Sequence, residues 1–180
     1  MRWPQAQQAF LGMALLLMVP ACCRKLRSLQ RDGLTEQGVT AELVKISQAR
    51  AQLNAPAGWT KYESAAWTKF RPDDNLARLA FVSFSKPGDA TARVGEIAAQ
   101  LGLGQVTWGV GRSEMIGPDL LPARTGDGTC KIGPDPCYVW YATVDAGGAE
   151  RILIVYAVNS IAGSQHKSNA QAAVRSLRKL

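Results

Sequence analysis

Residues Tyr138–Val158 read YVWYATVDAGGAERILIVYAV. Two apolar runs, Tyr138–Val144 and Arg151–Val158, are rich in β-branched and aromatic residues. Between them, Asp145–Glu150 carries two glycines. That pattern predicts an antiparallel hairpin. In the second run ILIVYAV is apolar at every position. A strand wetted on one side alternates polar and apolar residues, so a continuous apolar run implies cover on both faces.

The elements outside this hairpin supply the cover. Val94, Ile97, Ala98 and Leu101 form one apolar stripe at helical spacing, and Asp89 and Gly102 are suited to cap its two ends. A second helix is expected over Gln165–Lys179, with Ala170, Ala173, Val174 and Leu177 facing inward. Short β-like runs occupy Trp59–Glu63, Trp67–Arg71 and Leu79–Ser85, separated by turn-forming residues. Gln105–Val110 reads as a further strand. Gly111–Pro136 reads as a long turn-rich loop with a short strand near Glu114–Ile116. The fold class is therefore α+β, an antiparallel sheet flanked by helices.

The N-terminal third divides differently. Arg2 precedes an uncharged apolar run, Ala9–Ala21. That run falls short of the roughly 20 residues that span a bilayer, but it suits the core of an export signal. Two processing sites compete. Val19 and Ala21 offer small residues to an ordinary signal peptidase. Val19-Pro20-Ala21-Cys22 resembles a lipobox, with Cys22 as the lipidated residue, although Pro20 departs from the usual pattern. Arg24, Lys25, Arg27 and Arg31 follow directly. They could add attraction to anionic headgroups, or hold the segment as an anchor with the domain facing inward. Leu34–Leu53 carries Val39, Leu43, Ile46 and Leu53 at helical spacing and is expected to be a linker helix. The division is residues 1–21 as signal, 22–54 as basic juxtamembrane segment and linker, and 55–180 as one α+β domain.

Composition excludes disorder throughout: 47% of the 180 residues are apolar and 19% charged. Formal net charge is +7. Beyond the cluster after Cys23 the basic residues are spread along the chain, so a nucleic-acid partner is not expected. Of the four cysteines, Cys130 and Cys137 lie in TGDGTCKIGPDPCY. An even pair in an exported domain reads as a disulfide. Closing so short a loop contributes about 2.5 kcal/mol by chain entropy. CxxC spacing is absent and His166 is the sole histidine, so neither a metal site nor thiol exchange is expected.

The chain also resembles the PsbP-like family, relatives of the photosystem II extrinsic protein P. The resemblance is carried by Ala55-Pro56-Ala57-Gly58-Trp59, by Phe70 and Pro72, and by Ser176-Leu177-Arg178 near the end. It spans about Ala55–Leu180. It implies an α/β/α sandwich, and a small adaptor or envelope lipoprotein without catalysis. It supplies no catalytic residues to carry over, and the Cys130–Cys137 pair is not a family hallmark.

No GxSxG, HExxH, P-loop or helix-entering GxGxxG occurs, and no cofactor is expected. His166 beside Lys167 reads as a solvent-exposed structural residue. Asp119, Asp127 and Asp135 share the long loop and could serve a two-carboxylate hydrolase, although each adjoins Gly or Pro as turn residues do. Trp140 reads as core. Trp67 and Trp108 reach toward the surface, and with Arg112 and Arg124 they are the candidate partner-binding residues. The favoured reading is a non-catalytic envelope lipoprotein, anchored to the membrane at Cys22, facing the periplasm or exterior and holding an envelope protein partner. The alternatives are a hydrolase of cell-wall or lipid material, and a structural or inhibitory subunit of a larger envelope assembly.

Overall fold

The computed structural model describes residues 42–64, 67–85, 90–161 and 163–180. The signal segment, Cys22, the basic cluster and the Asp89 cap lie outside the described residues.

Strands β1 (Leu43–Ile46) and β2 (Ala51–Asn54) are joined by a short 3-10 turn, Ser47–Ala49. They are followed by β3 (Thr60–Glu63), β4 (Thr68–Arg71), β5 (Ala77–Ser85), helix α1 (Ala90–Gln100), β6 (Leu103–Trp108) and β7 (Arg112–Ile116). The chain continues through β8 (Leu121–Ile132), β9 (Asp135–Val144), β10 (Glu150–Asn159), α2 (Gly163–Arg175) and β11 (Arg178–Lys179). An eight-stranded sheet runs β3-β4-β5-β10-β9-β8-β6, with β7 also paired to β8. Its pairings are antiparallel. A small sheet, β1-β2-β11, joins strands from before and after the large sheet in the chain, and its β1 and β2 pack into the same core.

The hairpin read from Tyr138–Val158 is β9 and β10, with Tyr156 opposite Trp140. The ILIVYAV strand is central and covered on both faces. Ile152, Ile154, Tyr156 and Val158 join one core with Ala170, Ala173 and Val174 of α2. Leu153, Val155 and Ala157 join the other with Val94, Ile97, Ala98 and Leu101 of α1. Each fully buried Ile or Leu contributes about 1.5–3 kcal/mol of transfer free energy. Helix α1 ends where expected. Gly102 takes φ +68°, its N–H donates to the Ala99 carbonyl at 2.8 Å, and the Arg78 guanidinium donates to the Leu101 carbonyl.

Three expectations are corrected. Residues 43–54 are not part of a linker helix but a hairpin of the domain, so the folded unit begins before residue 55. Val44 pairs with Leu53 and both are buried, while Lys45 points outward. Over two four-residue strands a period of two hides inside helical spacing, and Arg50 at φ +53° makes the turn.

Gly111–Pro136 is likewise not a loop. β8 is 12 residues long and pairs along its whole length with β9. On its other edge β6 occupies the end toward Ile132 and β7 the end toward Leu121. The glycines that suggested turns are where backbones approach closely: a Cβ on Gly128 would lie 2.0 Å from the Thr107 carbonyl oxygen. The tight turn is confined to Gly133-Pro134, with Gly133 at φ +63°.

The last helix stops at Arg175 rather than Lys179. The Ser176 hydroxyl donates to the Ala173 carbonyl at 2.6 Å and accepts the Asn54 N–H at 2.8 Å. This diverts the backbone from the helix, and Arg178–Lys179 then pair with β2.

Candidate functional site

α1 covers only part of its face of the sheet. Beyond its first turns, β8 and β9 carry side chains over which, among the described residues, no helix lies. Cross-strand register sets which ones. Ser113 is opposite Arg124 and Arg124 opposite Thr143, while Gly126 is opposite Tyr141 and Gly128 opposite Trp108. Paired residues share a face, and this is the face of Val139 and α1. A cavity of about 1060 Å³ opens here, between the start of α1 and strands β6 to β10. Ala90 and Val94 line it from the helix, and Arg151 closes it from β10.

Its aromatic wall is built by Trp108 and Tyr141, packed edge to face with centroids 5.0 Å apart. Tyr141 lies against Gly126, where a Cβ would come within 2.5 Å of the ring. The link Gly109-Val110-Gly111 carries the chain from β6 to β7 past this wall. A side chain at Gly111 would sit 3.5 Å from both Arg124 Nε and the Tyr141 hydroxyl, so these two groups share one corner. Val110 and Met115 leave exposed apolar groups along the edge, at 91% and 65% exposure.

The charges in the cavity are unevenly matched. Glu114 accepts from Arg112 Nε–H, and Arg112 also stands 3.6 Å from Asp127. That pairing raises the already high pKa of Arg112. Asp145 accepts the Gly147 N–H at 2.9 Å. Among the described residues Arg124 and Arg151 make no ion pair.

The four candidate partner-binding residues are thus divided. Trp108 and Arg124 line the cavity. Arg112 lies opposite Thr125, on the other face of the sheet. Trp67 also packs on the α1 face, beside Ile97 and Leu101, but on β4's side of the sheet, away from β6. There Lys69 Nζ stands 4.9 Å from the Trp67 ring and 5.6 Å from that of Tyr62. Both Trp67 and Trp108 are half-buried, and Trp140 is in the core, stacked on Tyr156.

The three loop carboxylates do not converge. Asp119 accepts the Lys179 N–H at 2.7 Å, Asp127 faces Arg112, and Asp135 accepts from Asn159 Nδ2 at 3.2 Å. His166 is not solvent-exposed as expected. Its side chain is 16% exposed, with Nε2 2.7 Å from Asp74 Oδ2 and the Trp59 ring edge-on at 5.8 Å. The Leu76 N–H and then His166 hold the Asp74 carboxyl below its usual pKa. Cys130 and Cys137 face each other across β8 and β9 and form the expected disulfide, with Cα atoms 4.9 Å apart. Among the described residues no three His, Cys, Asp or Glu side chains cluster as metal ligands would, and no helix is long and apolar enough to cross a membrane.

Tyr141, Thr143 and Arg151 were missed by the sequence reading. Alternation along Tyr138–Val144 places Tyr141 opposite in facing to buried Trp140, and Arg151 is a charge opening an otherwise apolar strand. Both signals were present, but the neighbours that make a cavity of them come from four other elements.

An antiparallel sheet between two helices defines the class of protein. No protein-family model matches the chain and no curated protein matches it. Solved structures match in fold. The solution structure of cyanobacterial PsbP (CyanoP) from Synechocystis sp. PCC 6803 is 12% identical with a TM-score of 0.57, covering 79% of this chain and 94% of that one. A crystal structure from Bacteroides thetaiotaomicron VPI-5482 is 11% identical with a TM-score of 0.50, covering 78% of this chain and 48% of that one. The chain spans about half the length of the Bacteroides protein. The fold is PsbP-like, as the resemblance at Ala55–Trp59 and Ser176–Arg178 implied.

Proposed function

We propose that the chain is a non-catalytic binding module of the cell envelope that receives a partner protein in the cavity beside α1. The observation that carries this reading is the cavity itself. It is lined by both polar and apolar side chains and edged by exposed Val110 and Met115, with the Trp108–Tyr141 pair as its aromatic wall. Concave sites with convergent aromatic and cationic side chains are where binding energy concentrates. The Cys130–Cys137 disulfide supports an oxidising compartment. The anchor belongs to the same proposal: export, with Cys22 lipidated at the membrane.

Two experiments test it. A photo-crosslinking amino acid placed at Met115 in cells is expected to give one discrete protein adduct, and the same group at Ser168 on α2 none. Equal labelling from both positions, or no adduct from 115 in intact protein, overturns the partner reading. The anchor is tested by intact mass. A mature chain starting at Cys22 with a diacylglycerol increment supports it, and an unprocessed chain contradicts it.

A further inference from the structure

We infer that the segment received by the cavity is an acidic, extended peptide whose carboxylates meet Arg124 and Arg151. The inference rests on the binding reading above and names the chemistry of its partner. Arg124 and Arg151 project on the α1 face: Arg151 pairs with Phe84 of that core, and Arg124 is two residues from Gly126, whose partner Tyr141 packs against it. Arg124 shares its corner with the Tyr141 hydroxyl. Of the two acids among the lining residues, Glu114 lies opposite Ala123, on Arg112's face of the sheet, and is held by Arg112, while Asp145 accepts the Gly147 N–H and keeps its charge. Arg124 and Arg151 therefore outnumber Asp145, and the cavity presents an excess of positive charge beside aromatic surface. Desolvating a guanidinium is costly unless an anion replaces its water.

The lining selects a peptide over an acyl chain. Ser113, Glu114, Thr143 and Asp145 interleave with Val94, Pro122 and Tyr141, so no continuous apolar path would bury a hydrocarbon tail. Alternating carboxylate and apolar side chains of an extended chain match such a surface. β7 adds a second feature of the same kind. Among the described residues it pairs only with β8, leaving its outer edge free to accept backbone hydrogen bonds from an incoming strand.

The test is selection of random linear decapeptides displayed on phage against the folded domain, followed by affinities of synthetic winners. Asp or Glu next to an aromatic or aliphatic residue is expected to be enriched. Arg124→Glu and Arg151→Glu are each expected to weaken binding at least tenfold. Arg175→Glu, the same charge change on exposed α2, is expected to leave it within twofold, with circular dichroism checking the fold of all three. Winners without acidic enrichment, or winners equally weakened by Arg175→Glu, overturn the inference. If acid-free winners are lost in Trp108→Ala, the cavity remains the binding surface and the charge chemistry alone fails. If no peptide is selected, the peptide inference fails. Saturable binding of dodecanoate that depends on both arginines also overturns it, in favour of a lipid anion.

Discussion

The ring of Tyr141 lies on Gly126, its cross-strand partner, and occupies the space a side chain there would fill. Glycine weakens a strand interior by itself, and an aromatic neighbour restores packing over it. Here the arrangement also stands Tyr141 against Trp108 to form the cavity wall. Gly126→Val would drive the ring outward and shrink the cavity. A loss of about 1–3 kcal/mol in urea denaturation is expected from the overpacking, together with loss of binding in the cavity.

Gly117 holds a different close approach. It takes φ +74°, and a Cβ there would lie 1.8 Å from the Leu177 carbonyl oxygen. The β7–β8 turn is thereby seated on the chain just after α2, where Asp119 accepts the Lys179 N–H. Gly117→Ala combines left-handed strain with a backbone clash. A cost of at least about 2 kcal/mol is expected, measured by thermal or urea unfolding.

Removing the Cys130–Cys137 bridge with a double Ala substitution tests its mechanical role. Chain entropy gives about 2.5 kcal/mol for so short a loop. The β8–β9 ladder already holds these residues in register, and both are buried. A stability loss at or below that value, with unchanged circular dichroism, is the expected outcome. Reduction of the wild-type protein should reproduce it.

The Asp74–His166 contact ties the β4–β5 turn to α2 and makes a pH prediction. The folded-state pKa of Asp74 is depressed below its usual 3.8, first by the Leu76 N–H and then by His166. Its stabilisation is therefore present above the unfolded pKa and lost as the pH falls through the folded one. Asp74→Asn should be less stable than wild type at pH 6, and the gap should narrow by pH 3. A gap that stays constant would exclude the charge as its cause.

Much of the fold was legible because it follows from strong local patterns. ILIVYAV could hardly be anything but a covered strand, and Val94-Ile97-Ala98-Leu101 with Gly102 defined α1. What was lost depended on partners far away in sequence. Val44 and Leu53 pair in a hairpin that packs into the main core, and β2 pairs along its other edge with Arg178–Lys179. The glycines of β8 look like turn residues until Tyr141 and the Thr107 carbonyl are seen against them. The site was half legible for the same reason. Trp108 and Arg124 were marked by their residue types, but Arg112 falls on the other face by a single step of register, and Arg151 joins only through β10.

The central claim is that the surface beside α1 is where this domain binds. Titrating a selected peptide into ¹⁵N-labelled protein tests it most directly, through the amide resonances that shift. Shifts confined to residues near Trp108–Met115, Pro122–Arg124, Tyr141–Asp145 and the start of α1 are expected. Shifts centred on α2 or on the β1-β2-β11 sheet would contradict it.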